Sequence, residues 1–154
     1  MNSTPAVLYI VVPCYNECEV FPTTAAELTK LVASLSEEGK ISEKSRILFI
    51  DDGSKDNTWE LTDAEYRKNK YICGLKLAGN VGHQNALFAG LMAAKDLCDI
   101  SISIDADLQD DPEAIHGFLD AYREGCDVVY GVRKSRETDT AFKRLTAEGF
   151  YKLM

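Results

Sequence analysis

The chain has 154 residues, of which 45% are hydrophobic and 27% charged, and its formal net charge is −8. This composition is typical of one globular domain with a core, and it excludes a disordered chain. The negative charge argues against general nucleic-acid binding, which needs a basic face. The charge is uneven, because residues 133–152 carry a balance of +3 against −11 for the remainder, so the basic segment suits an anionic ligand or membrane surface.

The cysteines are odd in number, scattered, and lack the spacing of a zinc ribbon, so we expect reduced cytosolic thiols. They are Cys14, Cys18, Cys73, Cys98 and Cys126. No signal peptide precedes the first apolar run, and no run reaches transmembrane length. We therefore expect this stretch of chain to be soluble.

Apolar, strand-like runs alternate with helical patterns along the whole chain. The predicted strands cover residues 6–12, 46–51, 71–77, 100–105 and 127–132, with Pro13 ending the first. The helical patterns fall within 22–38, around 59–66, within 86–94 on a face of small residues, and after Asp111. Repeated strand–helix–strand units predict an α/β fold with a doubly wound, mostly parallel sheet.

Two helix ends are informative. Asp111 as N-cap, Pro112 at the first helical position and Glu113 in the first turn predict a helix start. Residues 140–154, "TAFKRLTAEGFYKLM", predict an amphipathic helix without a stop signal. We therefore expect a single catalytic domain that is a fragment of a longer protein.

The stretch "ISIDADLQDDPE", residues 102–113, places five carboxylates within nine residues, where they repel one another. Side chains alternate along an extended segment, so Asp105 and Asp107 lie on the same side. Their oxygens suit Mg²⁺ or Mn²⁺, which can bridge to a diphosphate. A divalent cation and the basic segment would offset this charge.

Polar residues follow each predicted strand, at the sheet edge where open α/β folds bind ligands. Neither G-x-G-x-x-G nor G-x-x-x-x-G-K-[ST] follows the first strand, so a backbone phosphate cradle there is unsupported. The sequence therefore predicts a ligand site in which side chains and a metal handle the phosphates.

Five segments in order resemble the family 2 glycosyltransferases with the GT-A fold: "VVPCYNE", "IDDGSKDNT", "GNVGHQNAL", "DADLQDDPE" and "YGVR". Within that family the chain looks most like the polyprenyl-phosphate glycosyltransferases, the dolichyl-phosphate mannose synthase and bactoprenol glucosyltransferase group. The resemblance covers residues 7–133. It implies inverting, metal-dependent transfer of a hexose from a UDP- or GDP-sugar to a polyprenyl phosphate, with the base, the sugar and the polyprenol left open.

The resemblance also implies roles for residues that handle the nucleotide sugar. Pro13, Tyr15 and Glu17 would line the base, and Asp51 would contact base or ribose. Asp105 would approach the ribose or the sugar.

Metal and phosphate roles follow from the same resemblance. Asp107 and Gln109 would coordinate Mg²⁺ or Mn²⁺ with the diphosphate, Arg133 would reach phosphate, and Arg144 is a candidate for the acceptor phosphate. The catalytic residues would be Asp105, Asp107 and Arg133. A lipid phosphate is already ionised near neutral pH, so no protein base is required.

Several neighbouring polar residues have structural explanations. Helix capping accounts for Asp111 and Glu113, while Asp110 is left open. His83 is interpreted as structural because no partner is identifiable in the sequence. Turn building and capping are expected of Asp52, Gly53, Ser54, Asp56 and Asn57, and solvent exposure of His116, Lys134 and Arg136.

Three alternatives stay open. One is a family 2 enzyme acting on a polysaccharide or other sugar acceptor. Another is a phosphoacceptor receiver domain, disfavoured because its acid pair normally follows the first strand. The third is an inactive nucleotide-binding module. The resemblance further implies membrane association of the full-length protein on the cytoplasmic side through a C-terminal part absent here, with a homo-oligomer left open.

Overall fold

The computed structural model describes residues 4–109 and 111–132. The chain consists of two compact units, and the boundary between them lies between Asp120 and Ala121. The elements in chain order are β1 (Leu8–Cys14), α1 (Phe21–Glu37), β2 (Arg46–Asp51), α2 (Thr58–Lys68), β3 (Ile72–Lys76), α3 (His83–Ala94), β4 (Ile100–Ser103) and α4 (Ala114–Arg123). All five cysteines are free.

The four strands form one parallel sheet in the order β3-β2-β1-β4. Ile10 at the centre of β1 pairs with Ile47 of β2 and Ile102 of β4. All three are buried apolar residues, as expected of strands covered on both faces. The α/β fold with a parallel sheet is therefore confirmed.

β1 continues through Pro13 to Cys14, two residues beyond its predicted end. The carbonyl of Val11 accepts a hydrogen bond from the Ile104 N–H, so the backbone groups of Val11 face β4. Pro13, two residues later in the strand, faces the same way and has no N–H to donate, but β4 already ends at Ser103. Pro13 therefore costs the sheet no hydrogen bond.

The helices pack on opposite faces of the sheet. α1 and α4 join one apolar cluster, with Ile10 and Phe49 from the strands. α3 joins the other, where a Cβ on Gly90 would lie 2.6 Å from Cγ1 of Val11 and 2.7 Å from Cδ1 of Ile50. The predicted small-residue face of α3 is thus confirmed, because only glycine allows this separation.

The predicted fifth strand is wrong, because residues 127–132 are neither helix nor strand. Val128, Tyr130 and Val132 are exposed, and no described strand pairs with them. A β-branched run predicts a strand only where a neighbour supplies packing and hydrogen bonds.

The start of α4 differs in detail from the prediction. Asp111 Oδ1 accepts a hydrogen bond from the Glu113 N–H at 3.0 Å, which confirms its capping role. A turn of i→i+3 bonds follows, and the helix itself begins at Ala114. Among helices within residues 4–109 and 111–132, none combines the length and apolarity that a membrane span requires. The helix predicted over 140–154 lies outside the described residues.

Candidate active site

The sheet topology places a crevice beyond the carboxyl ends of β1 and β4. From β1 the chain builds outward through β2 and β3, and then returns to add β4 on the other side of β1. At such a switch the two following loops diverge, which opens a ligand site between them. Here those loops carry "YNE" after β1 and "DADLQ" after β4.

The acidic segment after β4 forms a turn that is anchored to α1. The Leu108 N–H donates to the Asp105 carbonyl at 3.3 Å, and the carbonyl of Ala106 accepts a hydrogen bond from Thr24 Oγ1 of α1 at 2.5 Å. Ile104 and Ala106 are buried, whereas Asp105 and Asp107 are exposed. Both carboxylates are therefore accessible, although the segment is a turn and not the extended one that the sequence predicted.

A tight turn brings the predicted metal ligands together. Asp107 Oδ1 accepts from the Gln109 N–H at 3.0 Å, and Leu108 between them has a φ of 50°. Both side chains are exposed. The Asp107 carboxylate therefore lies against the backbone of Gln109.

The negative charge of this acidic segment affects the pKa of Glu17, in the loop after β1. Burial raises the pKa of Glu17, and the charges of Asp107 and Asp56 raise it further. The loops after β1 and β4 thus bring Glu17 and Asp107 close enough to repel each other. A cation at this point would relieve that repulsion.

The β1–α1 loop is joined to the β2–α2 loop by several hydrogen bonds. They run from Asn16 N to Ser54 Oγ, from Lys55 N to Asn16 Oδ1, from Glu17 N to Thr58 Oγ1 and from Cys18 N to Asp56 Oδ2, at 2.8–3.1 Å. Tyr15 lies exposed in the joined region. These bonds fix the backbone that carries Tyr15 and Glu17.

Asp56 acts as the cap expected of it, since its Oδ1 accepts from both the N–H and the hydroxyl of Thr58. Burial acts to raise the pKa of Asp56, but hydrogen bonds from Thr58 and Cys18 outweigh it and lower that pKa to about 2. Asn57 makes no side-chain cap bond.

Asp51 at the end of β2 is 1% exposed. Its Oδ1 accepts from the Ser54 N–H at 3.3 Å. Its Oδ2 is the one buried side-chain polar atom in the described chain without a hydrogen-bond partner. Because an unpaired buried oxygen is costly, Oδ2 is a candidate acceptor for a ligand N–H or O–H.

Asp52 has the opposite environment, because both of its oxygens are satisfied. Oδ1 accepts from the Val81 N–H at 2.7 Å and Oδ2 from the Gly82 N–H at 3.0 Å. A Cβ on the next residue, Gly53, would lie 2.6 Å from the backbone carbon of Gly79. Asp52 and Gly53 therefore join the β2–α2 loop to the β3–α3 loop, a role that the sequence did not reveal.

His83, interpreted as structural, has a partner that the sequence did not identify. Its Nε2 lies 3.6 Å from Asp105 Oδ1, and both side chains are about half exposed. The two residues meet only because α3 and the end of β4 converge at the same edge. The sequence separates them and gives no signal of the contact.

The predicted site residues within the described chain gather at this carboxyl edge. Pro13 is buried in β1, and the remaining ones are Tyr15, Glu17, Asp51, Asp105, Asp107 and Gln109. Arg133, Arg144 and Asp110 lie outside the described residues. Within residues 4–109 and 111–132, no three His, Cys, Asp or Glu side chains group to hold a metal. The carboxylate of Asp107 and the amide oxygen of Gln109 are donor types that Mg²⁺ and Mn²⁺ accept together with substrate phosphates.

The carboxyl edge of a parallel α/β sheet, at the point where the strand order switches, is where open α/β folds bind their ligands, and Asp105 and Asp107 lie there. Residues 9–153 match the family model "Glycosyl transferase family 2", and the chain belongs to this family. The predicted enzyme class, a glycosyltransferase, agrees with this family.

Curated relatives agree with this assignment. The chain is 60% identical over its whole length to "Uncharacterized glycosyltransferase YkoT" of Bacillus subtilis (strain 168), and it covers 46% of that protein. It is 40% identical to "Prophage bactoprenol glucosyl transferase homolog" of Escherichia coli (strain K12), over 94% of this chain and 44% of the relative. The chain thus spans somewhat less than half the length of the curated relatives it matches.

Solved structures show the GT-A fold. The mannosyltransferase PcManGT from Pyrobaculum calidifontis, solved in complex with GDP-Man and Mn²⁺, has a TM-score of 0.51 at 21% identity, over 67% of this chain and 28% of its own. TarS of S. aureus has a TM-score of 0.51 at 20% identity, over 88% of this chain and 24% of its own. The predicted family, fold and enzyme class are confirmed.

Proposed function

We propose that the chain is the donor-binding part of an inverting glycosyltransferase that moves a hexose from a UDP- or GDP-sugar to a polyprenyl phosphate, with Mg²⁺ or Mn²⁺. The observation that carries the proposal is the position of the exposed Asp105 and Asp107 after β4, at the switch point of the sheet, with Asp107 near enough to Glu17 to act on its pKa. Relatives named bactoprenol glucosyl transferase support the lipid-phosphate acceptor.

The nucleotide would lie over the joined loops after β1 and β2. Tyr15 is exposed there, and Asp51 offers an unpaired oxygen that can accept from a base N–H or a ribose hydroxyl. Burial makes that acceptor selective, because a ligand lacking the donor leaves the oxygen unsatisfied.

Asp107 and Gln109 would hold the cation. The bound metal would neutralise the diphosphate and stabilise it as the leaving group. Both side chains are exposed to solvent, and the charge of Asp107 adds to burial in raising the pKa of Glu17. PcManGT, which shares the fold, was solved with Mn²⁺.

The acceptor phosphate is ionised near neutral pH, so in-line attack needs no protein base. Arg133 and Arg144 are proposed to bind phosphate. We further propose that the full-length protein acts at the cytoplasmic side of the membrane.

The test is calorimetric titration of UDP-glucose and GDP-mannose, with and without Mn²⁺, on wild type, Asp107→Asn and Asp111→Asn. Asp111 is the matched control, because it belongs to the same acidic run but caps α4. We expect metal-dependent binding of one donor, a loss of at least about tenfold in Asp107→Asn, and wild-type affinity in Asp111→Asn.

Equal binding with EDTA, or equal losses in both variants, would contradict the metal assignment. Transfer to polyprenyl phosphate should be poor for residues 1–154 alone, since relatives extend to about twice this length. Transfer to a free sugar acceptor instead would favour a polysaccharide-type enzyme.

A further inference from the structure

The contact between His83 and Asp105 joins a residue of the site proposed above to one that has no role in it so far, His83. The 3.6 Å separation of Nε2 and Oδ1 is ion-pair distance, slightly longer than a hydrogen bond. Side-chain exposures of 52% and 59% leave both groups accessible to a ligand. The pair therefore stands where a bound donor could meet it.

The backbone that presents His83 is held on both sides. The buried carboxylate of Asp52 accepts from the N–H groups of Val81 and Gly82, and the Asn85 amide donates to the Val81 carbonyl at 2.7 Å. Gly82 has a φ of 87°, a conformation that favours glycine. His83 follows directly as the first residue of α3, so its position is fixed by the β2 end.

Asp105 and Asp107 have different neighbours. Both are exposed and lie two residues apart, where like charges repel each other. Burial and then the charge of Asp107 raise the pKa of Glu17 in the loop after β1, whereas Asp105 lies 3.6 Å from His83 at the start of α3. The contact with His83 therefore distinguishes Asp105 from Asp107.

We propose that His83 is a positioning residue, which holds the Asp105 carboxylate on the α3 side of the crevice to accept hydrogen bonds from hydroxyl groups of the donor. Asp107 is thereby left as the carboxylate for the metal. The hydroxyls belong to the ribose or to the hexose, which present the same chemistry to a carboxylate. This inference rests on the proposed function for its ligand, but the contact itself can be tested without any ligand.

The ligand-free test uses ¹⁵N spectra of the imidazole rings near neutral pH. The chain has two histidines, and His116, whose Nε2 lies 3.5 Å from Glu113 Oε2, is the internal reference. Asp105→Asn should shift the His83 signals only, and Glu113→Gln the His116 signals only. If the His83 signals were unchanged in Asp105→Asn, the proposal that His83 contacts and positions Asp105 would be contradicted.

The functional test is a double-mutant cycle on donor binding with Mn²⁺. His83→Leu should weaken binding about tenfold, and His83→Gln, which retains an N–H near the Nε2 position, should stay within about threefold of wild type. In an Asp105→Asn background, His83→Leu should have no further effect, because its partner is gone. Additive losses would overturn the proposal.

The source of the hydroxyl follows from the ligand used. If His83→Leu weakens UDP as much as UDP-glucose, the ribose is the partner, whereas a loss confined to UDP-glucose identifies the hexose; the GDP compounds serve if wild type prefers them. Absence of donor binding in wild type would overturn the proposed function and the ligand assigned here. The ¹⁵N result would still decide whether His83 engages Asp105.

Discussion

Asp51 and Asp52 are adjacent carboxylates with opposite environments. Both are nearly inaccessible, at 1% and 3% exposure. One oxygen of Asp51 lacks a partner, whereas both oxygens of Asp52 accept backbone N–H groups. Buried groups that are fully bonded contribute to stability, while an unpaired one indicates a role that costs stability.

We therefore expect the two isosteric changes to separate stability from binding. Asp52→Asn should lower the free energy of unfolding by about 1–3 kcal/mol, because the amide nitrogen cannot accept from a buried N–H. Asp51→Asn should change it by less than about 1 kcal/mol and weaken nucleotide binding about tenfold. Urea denaturation and calorimetric titration measure the two effects. Equal destabilisation by both changes would contradict this division.

Asp56 should contribute a pH-dependent part of the stability. Its pKa is lowered from 3.8 to about 2, so the folded state favours the carboxylate. This contribution is complete above about pH 4 and is lost as pH falls through about 2. The Tm of Asp56→Asn should therefore fall less steeply than wild type over that range. Asp63→Asn, which removes an exposed ion pair with Arg67, is the control and should change Tm little.

At the residue scale, the sequence predicts the chemistry of a side chain better than it predicts which residues that side chain contacts. The Asp-x-Asp spacing is matched by the exposure of Asp105 and Asp107 on either side of the buried Ala106, because such a pattern is local. The partners of Asp52 and His83 depend on which strand ends become neighbours, and no local pattern encodes that. Those two residues were accordingly assigned to a turn and to an unpartnered role.

α3 shows how one residue sets the distance between a helix and the sheet. A Cβ at Gly90 would meet Val11 and Ile50 at 2.6–2.7 Å, whereas a Cβ at Gly117 of α4 would meet nothing within 4 Å. Gly90→Ala should therefore destabilise the fold by about 1–3 kcal/mol through overpacking. Gly117→Ala should stabilise it by up to about 1 kcal/mol through helix propensity. Thermal denaturation of both variants checks this, and similar shifts would mean that α3 can move away from the sheet.

The strands that are buried inside the sheet could be predicted from the sequence, because their burial requires a continuous apolar run. The runs that became β1 and β2 are continuous and apolar, and both strands lie inside the sheet. The run at 127–132 is also rich in apolar residues, but no strand in the described chain pairs with it, so strand propensity alone gave a wrong prediction. The start of α4 shifted because its cap sits on a preceding turn.

At the scale of the whole chain, the core that the structure describes extends to Leu119 of α4. Val128 is 68% exposed, whereas Val12 of β1 is fully buried. Val128→Ala should change the free energy of unfolding by less than about 0.5 kcal/mol, and Val12→Ala should lower it by about 2 kcal/mol or more. Urea denaturation of the pair measures this, and a large cost at Val128 would restore the predicted fifth strand.

The family and fold were predictable because five motifs occur in order, and the first four lie at or after the end of a strand. The donor nucleotide and the hexose were not predictable, because selectivity depends on atoms that several loops bring together. The described residues show how the loops after β1, β2 and β4 bring the acidic side chains to one edge of the sheet.

The hydrogen bonds between loops have a consequence for binding kinetics. Asn16, Asp52 and Thr24 each tie one segment of the crevice floor to a neighbouring element. Folding has therefore already met the conformational entropy cost of ordering that floor, and a ligand need not meet it again. Preorganisation of this kind favours rapid association without induced fit on this side of the crevice.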